Sequence, residues 1–361
     1  MAGFLLQVSV LTETKKTPLY QWHVARGAKM TEFAGYALPL FYLSQMDEHL
    51  VVRQKAGIFD ISHMQPVDIE GSGARDFLRY VLAGDVETLK LKKGFYTVML
   101  NAHGGIIDDT IVYRLKDNHY RLIANAACAD KDLQWLKAQS SSFAVQISPL
   151  RDYVMMAIQG PKAREQTAAI TGENWLLQLP RFACEERHFM AARTGYTGED
   201  GFEIIATLDS GQALWQKLAD VIQPCGLGAR DSLRLEAGLN LYGLDMDEYI
   251  TPFECGLKWV VHLNDRDFIG KNALQRHQAK AKRMGLVLSK GMMRPGQKVL
   301  HEKGEGVITS ASFSPILKQS IALARLPLTA KTNDPVEVMI RDKKHLALVV
   351  RPPFIQMQSG E

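Results

Sequence analysis

The chain has 361 residues, enough for two or three domains with a sizeable core, and its 46% hydrophobic and 23% charged composition excludes a disordered polypeptide. A formal charge of +4 without any long run of Lys or Arg excludes a dedicated nucleic-acid binder. The apolar run in the opening "MAGFLLQVSVLTETKK" is too short to span a bilayer, has no basic residue before it and no clear cleavage site, so no membrane partner is expected and the expected location is cytoplasmic.

In chain order, "GSGARDFLRYVLAGDV" (71–86) predicts a helix, and "GFYTVML" (94–100), "IIDDTIVYRL" (106–115) and "HYRLIANA" (119–126) predict successive strands joined by turns carrying Gly or Asn. "DKDLQWLKAQ" (130–139) returns to helical spacing, and "GPKAREQTAAITG" (160–172) is a helix punctuated by Pro at its start and Gly at its end. "FMAARTGYTGEDGFEIIATL" (189–208) predicts a hairpin with a Gly-rich connection, and "GLGARDSLRLEAGLNL" (226–241) a helix beginning near Asp231. A polar, basic connector, "QRHQAKAKR" (275–283), precedes a β-rich C-terminal stretch, so a domain boundary is expected near 270–283. The pattern is α+β.

Cys128, Cys184, Cys225 and Cys255 stand singly, without CxxC or neighbouring His at metal-ligand spacing, and are read as buried free thiols; no metal site is expected. The phosphate loop, the dinucleotide fingerprint, the GxSxG elbow and HExxH are all missing, which removes those enzyme classes. His63, alone in "FDISHM", is read as structural.

The stretch "NAHGGIIDDTIVYRL" holds the first unusual feature, two adjacent carboxylates in an apolar strand. Alternation places Ile107, Asp109, Ile111 and Tyr113 on one face and Asp108, Thr110, Val112 and Arg114 on the other. Asp109 thus falls among apolar neighbours, whereas Asp108 shares a polar face and is expected to stay solvated. A carboxylate on an apolar face must be paired, hydrogen-bonded or used, and desolvation raises its pKa toward the range where it exchanges protons at neutral pH. Two readings stand for Asp109: a structural group that caps a turn or pairs with an Arg, or a reactive carboxylate. Gly104 and Gly105 beside it fit either a flat ligand in close approach or a simple tight turn.

In "RTGYTGEDGFEI", alternation puts Phe202, Ile204 and Ala206 on one face and Glu203, Ile205 and Thr207 on the other. Glu203 is either exposed or an acceptor of paired hydrogen bonds from an amino group and ring N–H, the donor edge of guanine-like and pterin rings. Arg230, just before the expected N-cap Asp231, is either an ion-pair residue or a fork for a ligand carboxylate.

Together with "TPLYQWHVARGAKMTEFAGYALPL", "EHLVVRQKAGIFDISHM", "GARDSLRLEAGLNLYG", "TPFECGLKWVV" and "VITSASFSPILKQSIALARLP", these segments resemble the T protein of the glycine cleavage system, a tetrahydrofolate-using aminomethyltransferase family, from residue 17 to about 354. The resemblance implies a three-subdomain cloverleaf around a central folate-binding hole, with a C-terminal β-barrel. It divides the chain into an N-terminal extension (1–16), a folate-binding region of two intertwined α+β subdomains (17–274) and the barrel (283–361). The implied reaction takes an aminomethyl group from the lipoyl arm of the H protein, releases ammonia and forms 5,10-methylenetetrahydrofolate. By the same resemblance Asp109 is the catalytic carboxylate, Glu203 binds the pterin, Arg230 binds folate, and Asn125, Met64, Tyr196 and Trp259 line the pocket.

The chain departs from the family pattern at Tyr36, often Trp, at Arg121, often aromatic, and in a C-terminal tail without tyrosine. Two other readings share such a pocket: a related folate-dependent demethylase, and a non-catalytic folate-binding protein of iron–sulfur maintenance. The absence of a flavin fingerprint argues against the fused dehydrogenases of the first group. The second group carries a Cys-containing "KGCYxGQE" motif where this chain reads "RTGYTGEDGFE".

Overall fold

The computed structural model describes residues 14–263 and 266–356; most of the expected N-terminal extension and the end of the C-terminal tail lie outside the described residues. The three strands read from the first half of the chain form as expected, Gly94–Leu100, Ile106–Lys116 and His119–Ala124. They are antiparallel neighbours in a five-stranded sheet completed by Gln65–Glu70 and Gln146–Pro149. One face of that sheet is covered by the helices Ala74–Val81 and Ala129–Gln139, through Phe77, Leu78, Val112, Leu122 and Leu136.

The other face meets a second sheet, of six strands, through Ile111, Tyr113 and Ile123 packed with Met155, Met190 and Ile205. The far side of this second sheet lies under the helices Ala163–Thr171 and Leu208–Ala219, with Phe202, Ile204 and Trp215 in the core. Helix, sheet, sheet and helix therefore stack as four layers, and residues pointing from either sheet into the middle layer face one another about 10 Å apart. Glu203 belongs to the inward-facing row of Gly201–Thr207, because Phe202 and Ile204 point the other way, as alternation predicts.

The third body is a closed barrel of six strands, beginning with Ala281–Leu288 and ending with Lys343–Val350, filled by Leu286, Val299, Ala322 and Val338. Its first strand starts inside the segment expected to be a connector. The helix Leu227–Glu236 ties the barrel to the sheets: Ala229 and Leu233 enter the middle layer, while Leu235 packs on Ile321 and Leu323 of the barrel. Buried polar links reinforce that seam, with Arg234 held by Asp245 at 3.0 Å and by Ser310, and the Ser314 hydroxyl donating to Glu236.

Two expectations are corrected. The helix expected to begin near Asp231 begins at Leu227, so Arg230 lies in its first turn. Its N-cap is Gly226, which has no side chain to signal the start; a Cβ there would lie 2.3 Å from the Leu40 carbonyl oxygen. Asp108 is not solvated but wholly buried, because the helix Ala129–Gln139 covers its face of the sheet. A register shift between Met99 and Leu100 opposite this point also lets Ile107 join the helix-covered core instead of sharing a face with Asp109.

The glycine pair resolves as a turn that the protein's own chain approaches. Gly104 takes a left-handed φ of 85°, and a Cβ on Gly105 would lie 1.8 Å from the Glu248 carbonyl oxygen. Gly105→Ala is accordingly expected to destabilise the protein by about 1–3 kcal/mol through overpacking, read as a lowered urea midpoint; an unchanged midpoint would mean that the 248 loop is not fixed against this turn.

Candidate functional site

Asp109 points into the middle layer from the strand Ile106–Lys116, half-buried, with neutral partners only. The Tyr96 hydroxyl donates to its Oδ2 at 2.8 Å and the Asn125 amide to its Oδ1 at 2.9 Å. Tyr96 is two positions along the neighbouring strand from the residue opposite Asp109, a diagonal cross-strand pair. No Arg or Lys pairs with Asp109 among the described residues, which sets aside the ion-pair reading. Burial and the adjacent Asp108 charge raise its carboxyl to about 7, against the lowering effect of the Tyr96 and Asn125 hydrogen bonds.

On the facing sheet, the Thr194 hydroxyl donates to Glu203 Oε2 at 2.6 Å, and Thr194 in turn meets the Tyr113 hydroxyl at 2.9 Å. Tyr113 is four residues beyond Asp109 on the same face of its strand, about 13 Å along it, and the Tyr113 and Thr194 hydroxyls link that strand to Glu203. The acids of the Gly-rich connection divide by role. The Arg193 fork grips Asp200 at 2.8 and 2.6 Å, and Arg53 reaches Glu199 at 2.9 Å. Glu203 forms no ion pair among the described residues; burial raises its carboxyl, opposed by the Thr194 bond and the more distant Arg230.

Arg230 lies over the Tyr196 ring, 4.8 Å from its centroid, and forms no ion pair among the described residues. Burial holds its guanidinium below the ordinary arginine range, so a ligand carboxylate that neutralised it would recover part of the desolvation cost. Tyr196 is pinned by its hydroxyl, which donates to the Asn240 carbonyl. Trp259 is exposed at the rim and stacks on Tyr96 at 5.9 Å and 28°. Met64 packs at the edge of the middle layer beside Ile111.

The residues singled out in the sequence thus face one gap between the sheets: Asp109 with Asn125, and Trp259 stacked on Tyr96, on one side, Glu203 on the other, and Tyr196 between Arg230 and Asp109, close enough to feel the charge of both. Tyr96 and Thr194 were missed, although cross-strand register alone brings Tyr96 to Asp109. Two residues lie aside from this machinery. Arg121 is locked bidentately to Asp68 at 2.6 and 2.8 Å, and His63 is buried between Phe33 and Tyr36, held neutral by burial and by Arg230 with its pKa pushed down to about 4. A separate depression of about 640 Å³ between Ser44–Met46 and the barrel contains none of the site residues. The four cysteines are buried and free, and no His, Cys, Asp and Glu group suited to a metal ion occurs among the described residues.

The family model described as the GCVT N-terminal domain matches residues 19–265, and that of the glycine cleavage T-protein C-terminal barrel domain matches residues 282–356. The chain belongs to the glycine cleavage T-protein family. An aminomethyltransferase of Alcanivorax borkumensis is 50% identical over 350 residues, covering 94% of this chain and 97% of its own length. One of Nitrosomonas eutropha is 48% identical, covering 95% and 98%. The crystal structure of glycine cleavage system aminomethyltransferase T from Bartonella henselae superposes with a TM-score of 0.90 at 36% identity, over 95% of this chain and 99% of that one. The family fold is therefore the α+β cloverleaf closed by a barrel, and the enzyme is an aminomethyltransferase; these relatives do not favour the demethylase or iron–sulfur readings. No helix among the described residues is long and apolar enough to cross a membrane.

A T-protein carboxylate raised from an ordinary value of 3.8 to about 7 binds its proton more tightly when folded, so its contribution to stability is present at low pH and is lost as pH rises through that window. Asp109→Asn is expected to match the parent below pH ~4 and to gain in melting temperature relative to it between pH ~4 and ~7. A difference that does not vary with pH would contradict the raised carboxyl.

Proposed function

We propose that this T-protein family member transfers the one-carbon unit of an aminomethyl group carried on the lipoyl arm of an H protein to tetrahydrofolate. The products are ammonia, the reduced lipoyl thiol and 5,10-methylenetetrahydrofolate. The carbon exchanges its bonds to sulfur and amino nitrogen for bonds to two folate nitrogens, and the two protons those nitrogens lose go to the thiol and the ammonia. The observation that carries this reading is the facing pair of acidic stations. Asp109 and Glu203 look into one gap from opposite sheets, each hydrogen-bonded to neutral groups and neither ion-paired among the described residues.

The chain's own groups fit a folate. Glu203 keeps Oε1 for a planar donor edge, because Thr194 occupies Oε2, and Arg230 offers a half-buried guanidinium without an ion pair among the described residues for a folate carboxylate. Tyr196, Met64 and Trp259 supply apolar and aromatic walls, and Asn125 orients Asp109. With a pKa near neutrality, Asp109 orients an N–H by accepting its hydrogen bond, takes up the proton as that nitrogen bonds to carbon, and offers negative charge beside developing positive charge. In this assignment residues 17–274 form the folate-binding region, and the C-terminal domain after it holds the barrel whose strands run from Ala281 to Val350. An aqueous, cytoplasmic setting suits a reaction between a carrier protein and folate.

Asp109→Asn is expected to keep tetrahydrofolate binding within about tenfold, roughly 1.4 kcal/mol, while ammonia release from aminomethyl-loaded H protein falls by orders of magnitude; unchanged turnover would remove Asp109 from the reaction. Glu203→Ala is expected to weaken the folate dissociation constant first. Folate-stimulated ammonia release by the parent enzyme, measured with and without tetrahydrofolate, distinguishes aminomethyl transfer from folate binding alone.

A further inference from the structure

Behind Asp109, on the helix-covered side of its sheet, lies a second polar cluster that the proposed reaction does not use. Asp108 is wholly buried and receives the Asn125 amide on Oδ1 at 2.9 Å and the Asn125 backbone N–H on Oδ2 at 3.2 Å. The same Asn125 Nδ2 bonds Asp109 Oδ1 at 2.9 Å, so one amide nitrogen bridges the two carboxylates. Asp132, in the first turn of the helix Ala129–Gln139, is also wholly buried, and neither of its oxygens receives a hydrogen bond from any donor among the described residues. The group its carboxyl meets is the carboxyl of Asp108. Two carboxylates are both acceptors, and no hydrogen bond forms between them unless one carries a proton.

We propose that Asp132 is a positioning residue: it donates a hydrogen bond from its carboxylic acid to Asp108, and thereby fixes Asp108 as the anion that, with Asp109, holds the Asn125 amide in place. Burial and the Asp108 charge push the Asp132 carboxyl up to about 10, which keeps it protonated throughout the neutral range. Apart from Asp109, whose carboxyl is raised to about 7, the other ionisable groups around the cluster do not titrate there. Tyr96 on the neighbouring strand, Cys128 at the helix start, and Tyr196, Tyr242 and Cys255 from the loops are all raised chiefly by burial and stay neutral. Lys131 is held charged by Glu248 and Tyr242 against its burial. Burial is the larger cause of the raised Asp109 carboxyl, and an anionic Asp108 adds to it, since like charge in close contact disfavours a second ionisation.

The inference rests on Asp109 being the working carboxylate, and its tests separate the two. Asp132→Asn retains an N–H donor for Asp108, so the acid limb of kcat/KM is expected to stay in place and kcat to remain within about threefold, under 1 kcal/mol. Asp132→Ala removes the donor, lets Asp108 protonate more readily, and is expected to move the acid limb to lower pH, in the direction of Asp108→Asn, by about one unit. A limb that shifts in Asp132→Asn, or that stays fixed in Asp132→Ala, would overturn the proposal. Infrared spectroscopy of the unliganded protein at pH ~9, above the Asp109 midpoint near 7 and below that of Asp132 near 10, gives a readout independent of activity and of folding failure in the alanine variant. A carboxylic-acid carbonyl band present in the parent is expected to vanish in Asp132→Asn, and its persistence there, or its absence from the parent, would contradict a protonated Asp132.

Discussion

The apolar layer between the two sheets is the constraint on which the site depends. Ile111, Tyr113 and Ile123 on one side and Met155, Met190 and Ile205 on the other fix the separation and register of the sheets. Side chains on these inner faces are delivered to the gap whether they are apolar or not, because strand alternation leaves them no other direction. Asp109 and Glu203 occupy positions that this layer would otherwise fill with hydrocarbon. Each costs desolvation, and each recovers part of it from hydrogen bonds rather than from a buried counter-ion.

The choice of partners separates working acids from structural ones. Burial alone would raise the Asp200 carboxyl, yet the Arg193 fork holds it below the ordinary range. The Arg121 fork on Asp68 is a similar bidentate clamp. Such pairs tie strands and loops together and leave no acceptor of useful basicity. Tyr96 and Asn125 orient Asp109 without neutralising it, so its carboxyl stays near 7, where transfer of a proton in either direction costs little. The seam between the sheets and the barrel uses the opposite device, with Arg234 and Glu236 both paired and buried on the helix that also carries Arg230.

Much of this arrangement is legible in the sequence, for reasons that differ by residue. The alternation of "IIDDTIVYRL" and "GFEIIATL" places Asp109 and Glu203 on inward faces because Ile111, Ile204 and Ile205 are strong markers of side. Asp108 is misread because alternation separates two faces without saying what covers each, and a helix distant by some twenty residues covers this one. The register shift beside Ile107 is a second reason, since a local irregularity leaves no compositional mark. The start of the Arg230 helix is missed because Gly226 is required by the approach of Leu40, a contact between segments far apart in sequence. Met64 and Trp259 are singled out only through the family resemblance, since Met and Trp at a groove are also ordinary packing.

The account turns on Asp109 being a carboxylate held near neutrality by burial and by an anionic neighbour. Carboxyl carbon NMR of aspartate-labelled protein measures this directly, with the resonance assigned by its loss in Asp109→Asn. A midpoint near 7 is the predicted result. A midpoint near the ordinary aspartate value of about 4 would contradict the account.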